Sequence, residues 1–136
     1  MKFTRLTWGD FDEGMDRLAV QYAGLVDHVY GVPRGGLPCA VALSHRLDIP
    51  MVKSPGDAGR TDRLLIVDDI HDSGLTMREY AGRVPFALRA VWITRKAVQN
   101  IGAGLVLEVD DWFVFPWEDA SKARREYENY RAARAA

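Results

Sequence analysis

Three acids, a serine and a threonine crowd one short stretch of this chain, Leu64 to Thr76, which reads LLIVDDIHDSGLT. Carboxylates accept hydrogen bonds and repel anions, so the adjacent Asp68 and Asp69 suit sugar hydroxyls or a divalent cation. The residues just after them suit the opposite partner. From Asp72 through Ser73, Gly74 and Leu75 to Thr76, successive backbone N–H groups open a helix, with two hydroxyls beside them, and can wrap a phosphate without any cationic side chain. One ligand that carries a phosphate and a diol and binds with Mg²⁺ meets all of these demands.

The elements around this stretch explain how it is held. Leu64-Leu65-Ile66-Val67 is a continuous apolar run, the pattern of a parallel strand buried on both faces, and it sets the acids at the strand's carboxyl end, where open α/β sheets bind ligands. Thr76 to Arg83 reads as the helix that follows. Upstream, Phe3 to Thr7 reads as a strand and Asp10 to Tyr22 as a helix, with Phe11, Met15, Leu18, Ala19 and Tyr22 at helical spacing and Thr7 or Asp10 as its cap. Asp27 to Val32 is a strand, Leu37 to Leu47 a partly buried helix and Ile49 to Lys53 another strand. Ser54 to Asp62, SPGDAGRTD, reads as a mobile surface loop with little to pack. Downstream, Phe86 to Thr94, Leu105 to Val109 and Trp112 to Phe115 supply strands, and Asp119 to Arg134 a charged helix. The alternation predicts an α/β fold: a single domain over residues 1–136, with a central, mainly parallel sheet flanked by helices.

Composition narrows the function classes. The chain has 136 residues, 48% of them hydrophobic, enough for one real core. Its formal net charge of -1 exerts no global pull on nucleic acid or an anionic membrane, so any anion must be held by local geometry. Met1 to Arg5 runs into polar sequence rather than an apolar leader, and no stretch is long enough to span a bilayer; a soluble, cytoplasmic protein is the expectation. Cys39, the single cysteine, excludes an internal disulfide and a cysteine-based zinc site, and reads as a small buried hydrophobe.

LLIVDDIHDSGLT resembles the signature with which type I phosphoribosyltransferases bind phosphoribosyl pyrophosphate (PRPP). RLTWGDFDEGMDRLA, GVPRGGLPCAVAL and DDWFVFPWE resemble, in the same order, segments of the bacterial xanthine-guanine branch of the 6-oxopurine enzymes, so the resemblance covers roughly residues 3 to 118. It implies transfer of the phosphoribosyl group from PRPP to guanine, xanthine or hypoxanthine, with Mg²⁺ as cofactor and a homodimer or larger homo-oligomer as the assembly. Asp68 and Asp69 would hold the ribose hydroxyls, Asp69 also the metal, and residues 72–76 the 5-phosphate. The Arg34-Gly35-Gly36 loop would bind pyrophosphate, with Arg60 or Arg63 reaching it from the loop before the signature, which is shorter than the family's usual lid. Glycines let backbone approach an anion closely and Arg34 offers a fork of donors, so the residue types agree. The resemblance also singles out the Pro33–Arg34 bond, whose counterpart is often cis. Asp72 stands where these enzymes carry their proton acceptor for the purine N7, and Ile70, Lys96, Trp112 and Phe113 fall in their base pocket.

Other readings compete for the same residues. A strand ending in two acids also occurs in receiver domains, but those acids lie near the amino terminus, whereas here about half the chain precedes them. No G-x-G-x-x-G follows the strand, which excludes the usual dinucleotide fingerprint. A PRPP-binding regulator without transferase activity shares the fold, and so does a phosphoribosyltransferase for another base. Asp72 also reads as a helix N-cap, His71 as a solvated loop residue, Lys96 as a solvent-facing lysine beside Arg95, and Trp112 and Trp117 as cover for a sheet. In the C-terminal helix, Tyr127 and Tyr130 are expected to pack on the domain or on a second subunit.

Overall fold

The computed structural model describes residues 2–59 and 62–135. They group into two compact units, one running through Asp12 and resuming at Val109, the other Glu13–Glu108. The larger unit is built on a four-stranded, all-parallel sheet in the order β2 (His28–Gly31), β3 (Leu64–His71), β4 (Leu88–Thr94), β5 (Ile101–Val106). Helices α2 (Gly36–Leu47) and α3 (Leu75–Arg83) connect its strands, and α1, Trp8–Tyr22, belongs to it from Glu13 onward. Leu64, Leu65, Ile66 and Val67 are fully buried, as a central strand with a neighbour on each side requires, and Cys39 is buried in the first turn of α2.

The position of β5 departs from expectation. The strand begins four residues before Leu105, because Ile101-Gly-Ala-Gly looks like a loop in sequence but is the surface on which α1 lies. A Cβ on Gly104 would stand 2.8 Å from the Gly14 carbonyl oxygen, and one on Gly102 would collide with the Tyr22 hydroxyl. That hydroxyl accepts from the Gly102 N–H at 3.1 Å and donates to the Arg89 carbonyl at 2.9 Å. Glycine is what lets the helix and strand backbones come so close.

Two other expectations are corrected. Ile49 to Lys53 forms only an isolated bridge between Met51 and Val29, since Pro50 has no N–H to extend a ladder. The segment after it does pack: Pro55–Asp57 makes a 3₁₀ turn capped by Ser54, Pro55 is buried, and Ala58 joins the core cluster of Tyr30, Ile66 and Met77.

In the smaller unit, β1 (Phe3–Arg5) pairs in parallel with β6 (Trp112–Val114), and α4 (Ala120–Ala135) buries Ala123 and Tyr127. The Tyr127 ring lies 5.3 Å from that of Phe3, while Tyr130 stays partly exposed against Trp112. Phe115 and Trp117 stack with their planes 4° apart. The entry to α1 is a reciprocal cap that uses both residues expected there. Thr7 Oγ1 accepts from the Asp10 N–H at 3.0 Å, and Asp10 Oδ2 accepts from the Thr7 N–H at 2.9 Å. Among the described residues no helix is long and apolar enough to cross a membrane.

Candidate active site

At the carboxyl end of β3 the burial changes abruptly: the four apolar residues are inaccessible, while Asp68, Asp69, Ile70 and His71 are half-buried. The acids are fixed by the backbone that follows them. Asp68 Oδ1 accepts from the Asp69 N–H at 2.8 Å, and Asp69 Oδ1 from the Ile70 N–H at 2.7 Å. Burial first, and then the negative Asp69 beside it, push the Asp68 carboxyl up to about 8. Two adjacent carboxyls, one pushed up by burial and by the charge of the other, form a donor set whose charge a divalent cation would balance, so these residues fit Mg²⁺.

The Arg34-Gly35-Gly36 loop is pressed against this pair. A Cβ at Gly35 would overlap Asp69 Oδ2, and one at Gly36 would stand 2.5 Å from the Val67 carbonyl oxygen and 3.1 Å from the Asp68 Cα. The structure thus brings together two sequence segments more than thirty residues apart, and only glycine permits the approach. The Pro33–Arg34 peptide bond is cis. Arg34 is exposed and has no ion-pair partner among the described residues, so its guanidinium is available to an anion.

Beyond the acids, residues 68–74 with Thr76 and Met77 line a cleft of about 250 Å³. Its floor is the turn into α3. Gly74 takes a φ of 81°, the left-handed conformation that favours glycine, and serves as N-cap with no side-chain cap bond. Ser73 Oγ accepts from the Leu75 N–H at 3.3 Å, which leaves its hydroxyl hydrogen for another acceptor. Ser73, Leu75 and Thr76 are exposed around the helix start. Asp72 is therefore not the cap of α3. Its Oδ1 instead accepts from Arg95 Nε at 3.1 Å.

The remaining candidates fall in different places. Lys96 follows β4, its backbone pinned by buried Thr94, whose Oγ1 donates to the Lys96 carbonyl at 2.6 Å; the Lys96 side chain is exposed. Arg63 is not brought to the cleft. It precedes β3, at the amino end, where its guanidinium donates to the Gly24 carbonyl at 2.8 Å and faces Asp27 at 3.6 Å. Four residues of extended strand, Leu64 to Val67, separate it from Asp68, a span of about 16 Å. Arg60 lies outside the described residues. Asp27, His28 and Asp62 cluster near Arg63 with ligand-type atoms within 4.8 Å of one another, but His28 and Arg63 already engage Asp27. Trp112 and Phe113 belong to the smaller unit, where Phe113 is buried and Trp112 packs on Tyr127 and Tyr130. Sequence reasoning passed over Arg95 as a site residue. The signal lies in strand register: His71 pairs with Thr94, so the next residues, Asp72 and Arg95, emerge side by side.

No protein-family model matches the chain. A xanthine-guanine phosphoribosyltransferase of Gluconobacter oxydans is 38% identical over 72 residues, which cover 52% of this chain and 43% of that protein. The matched stretch thus spans less than half the length of that relative. The enzyme of the same name from Nitratidesulfovibrio vulgaris is 26% identical over 133 residues, 83% of this chain and 76% of the relative. Among solved structures, the purine phosphoribosyltransferase of Pyrococcus horikoshii superposes with a TM-score of 0.69 at 28% identity, covering 88% of this chain and 96% of its own. The fold is that of solved purine phosphoribosyltransferases, and the sequence is similar to xanthine-guanine phosphoribosyltransferases. Its α/β architecture, parallel sheets flanked by helices, is that of these phosphoribosyltransferases, and the acidic strand end is where the resemblance of LLIVDDIHDSGLT leads.

Proposed function

We propose that this protein transfers the 5-phosphoribosyl group from PRPP to a 6-oxopurine, giving a nucleoside monophosphate and pyrophosphate, and so serves purine salvage. The observation that carries the reading is the convergence at one strand end of an adjacent acid pair, a glycine loop pressed against it and a helix-opening turn. Asp68 and Asp69 accept from the ribose hydroxyls, and residues 72–76 donate to the 5-phosphate. Arg34, Gly35 and Gly36 face the pyrophosphate; Arg63, held at the far end of β3, is set aside. Asp69, with Asp68 beside it, would hold Mg²⁺, which when bound neutralises charge on the substrate's oxygens. Alignment with the Pyrococcus enzyme over 88% of the chain supports taking residues 1–136 as one functional domain.

In the reaction, N9 of the purine attacks the anomeric carbon, the bond to pyrophosphate breaks with inversion, and the N7 proton passes to Asp72. The protein's contribution is chiefly to hold the reactants in line and to place donors where charge accumulates. By the resemblance, Lys96 is assigned to the 6-oxo group, and Ile70, Trp112 and Phe113 to base binding. The deciding experiment incubates the protein with PRPP, Mg²⁺ and each of guanine, xanthine, hypoxanthine and adenine, and measures pyrophosphate release together with nucleotide formation. Nucleotide from one or more 6-oxopurines is the expected result. Pyrophosphate released without any base would indicate a hydrolase, and no release at all a PRPP-binding regulator.

A further inference from the structure

We propose that Arg95 is a positioning residue for Asp72, fixing which carboxylate oxygen faces the base; this rests on Asp72 being the N7 proton acceptor. Asp72 lies at the rim of the cleft with its side chain 68% exposed, and a carboxylate so placed would rotate among several orientations. Arg95 removes that freedom. Its own side chain is only 25% exposed, and its Nε donates to Asp72 Oδ1 at 3.1 Å. Oδ2 takes no bond among the described residues. One oxygen is thus tethered and the other left to meet a proton.

The tether is supported on both sides. Pairing of β3 with β4, through Ile70 with Ile93 and His71 with Thr94, sets the residues that follow next to each other. Thr94 is buried, and its hydroxyl donates to the Lys96 carbonyl at 2.6 Å, closing the turn that carries Arg95. The anchor therefore stands on the sheet, not on the loop. Because exposed ion pairs contribute little to stability, the effect of this one belongs to the chemistry rather than to folding.

A kinetic cycle tests this with Arg95→Met, Arg95→Lys, Asp72→Asn and the double variant Arg95→Met/Asp72→Asn, each assayed with PRPP, Mg²⁺ and the best 6-oxopurine. Arg95→Met is expected to lower kcat by about 10- to 100-fold, the scale of a misplaced reacting group, while KM for the base moves by less than about threefold. Arg95→Lys should recover part of that loss, because a cation still reaches the carboxylate. In the Asp72→Asn background, Arg95→Met should add less than about twofold, since the group it positions is already gone. If Asp72→Asn slows turnover but Arg95→Met does not, or if the Arg95 effect persists undiminished without the Asp72 charge, the positioning role is overturned while the proton-acceptor reading survives. If Asp72→Asn turns over normally, or no purine is a substrate, both fall together.

Discussion

Gly35 backs directly onto the Asp69 carboxylate: there is no room between them for a single methyl group. A side chain at residue 35 must displace either the loop or the acid proposed to hold ribose and metal. Overpacking of this kind costs about 1–3 kcal/mol, so Gly35→Ala is expected to weaken PRPP binding by about tenfold or more in calorimetric titration. Gly82, near the end of α3, has nothing within 4 Å of its would-be Cβ. Gly82→Ala should leave PRPP affinity unchanged and raise the urea midpoint slightly, as helical Gly-to-Ala changes do.

The acid pair makes a prediction about pH. Burial and then Asp69 raise Asp68 to about 8, whereas an unfolded aspartate titrates near about 4. Between those values the folded, ligand-free protein holds a proton that the unfolded chain has lost. The stabilisation from this group is therefore complete below about pH 4 and declines as pH rises through about 8. Urea midpoints measured without ligand should fall from pH 5 to pH 8.5, and Asp68→Asn should flatten that fall.

Loading the site reverses the same proton. Binding of PRPP with Mg²⁺ at pH 7 should release up to about one proton, because a cation held by Asp69 would favour the ionised form of Asp68. Titrations in two buffers of different ionisation enthalpy would measure it, and Asp68→Asn should abolish the release. In the same assay Asp68→Asn and Asp69→Asn are each expected to lose roughly 1.5–3 kcal/mol of PRPP binding, the value of one charge-assisted hydrogen bond.

Base recognition separates two kinds of contact. Lys96→Met removes the donor proposed for the 6-oxo group, so any preference for guanine or hypoxanthine over adenine should shrink. Trp112→Ala should weaken all bases alike, by about 1–3 kcal/mol, because stacking tolerates ring substituents. Steady-state kinetics across the four purines reads both. Equal losses for every base in the Lys96 variant would remove it from the specificity role.

Assembly is expected to be at least dimeric. Leu37 and Val41, one turn apart on α2, are 42% and 46% exposed, an apolar pair of the sort that subunit contacts cover. Light scattering at micromolar concentration should report twice the chain mass or more, with Val41→Asp shifted toward monomer. A monomeric wild type would remove this expectation without touching the chemistry.

Much of the site was legible because its determinants are local. Four apolar residues followed by two acids can be read as a buried strand with a polar end, and Ser73-Gly74 as the start of a helix. What escaped was set by contacts distant in sequence. The glycines of β5 imitate a loop until Tyr22 and Gly14 are seen against them. Pro55 and Ala58 look like loop residues until the cluster around Ile66 is assembled. The pairing of Asp72 with Arg95 depends on the register of β3 against β4, which no single segment encodes. A residue that precedes a strand cannot reach a site beyond the strand's far end unless the chain doubles back, and Arg63 is already bound to Asp27.

Because β3 is apolar core for its first half and cleft wall for its second, one continuous segment joins slow and fast regimes of hydrogen exchange. The amides of Leu65 to Val67 should exchange only when the whole sheet opens, at the free energy of global unfolding. Those of Ser73 and Gly74, a few residues along the same chain, should exchange through small local openings. An anion that engages the turn would slow the second group and leave the first in step with overall stability. The contrast in protection between Val67 and Gly74 would thus report ligand occupancy residue by residue, without any turnover being measured.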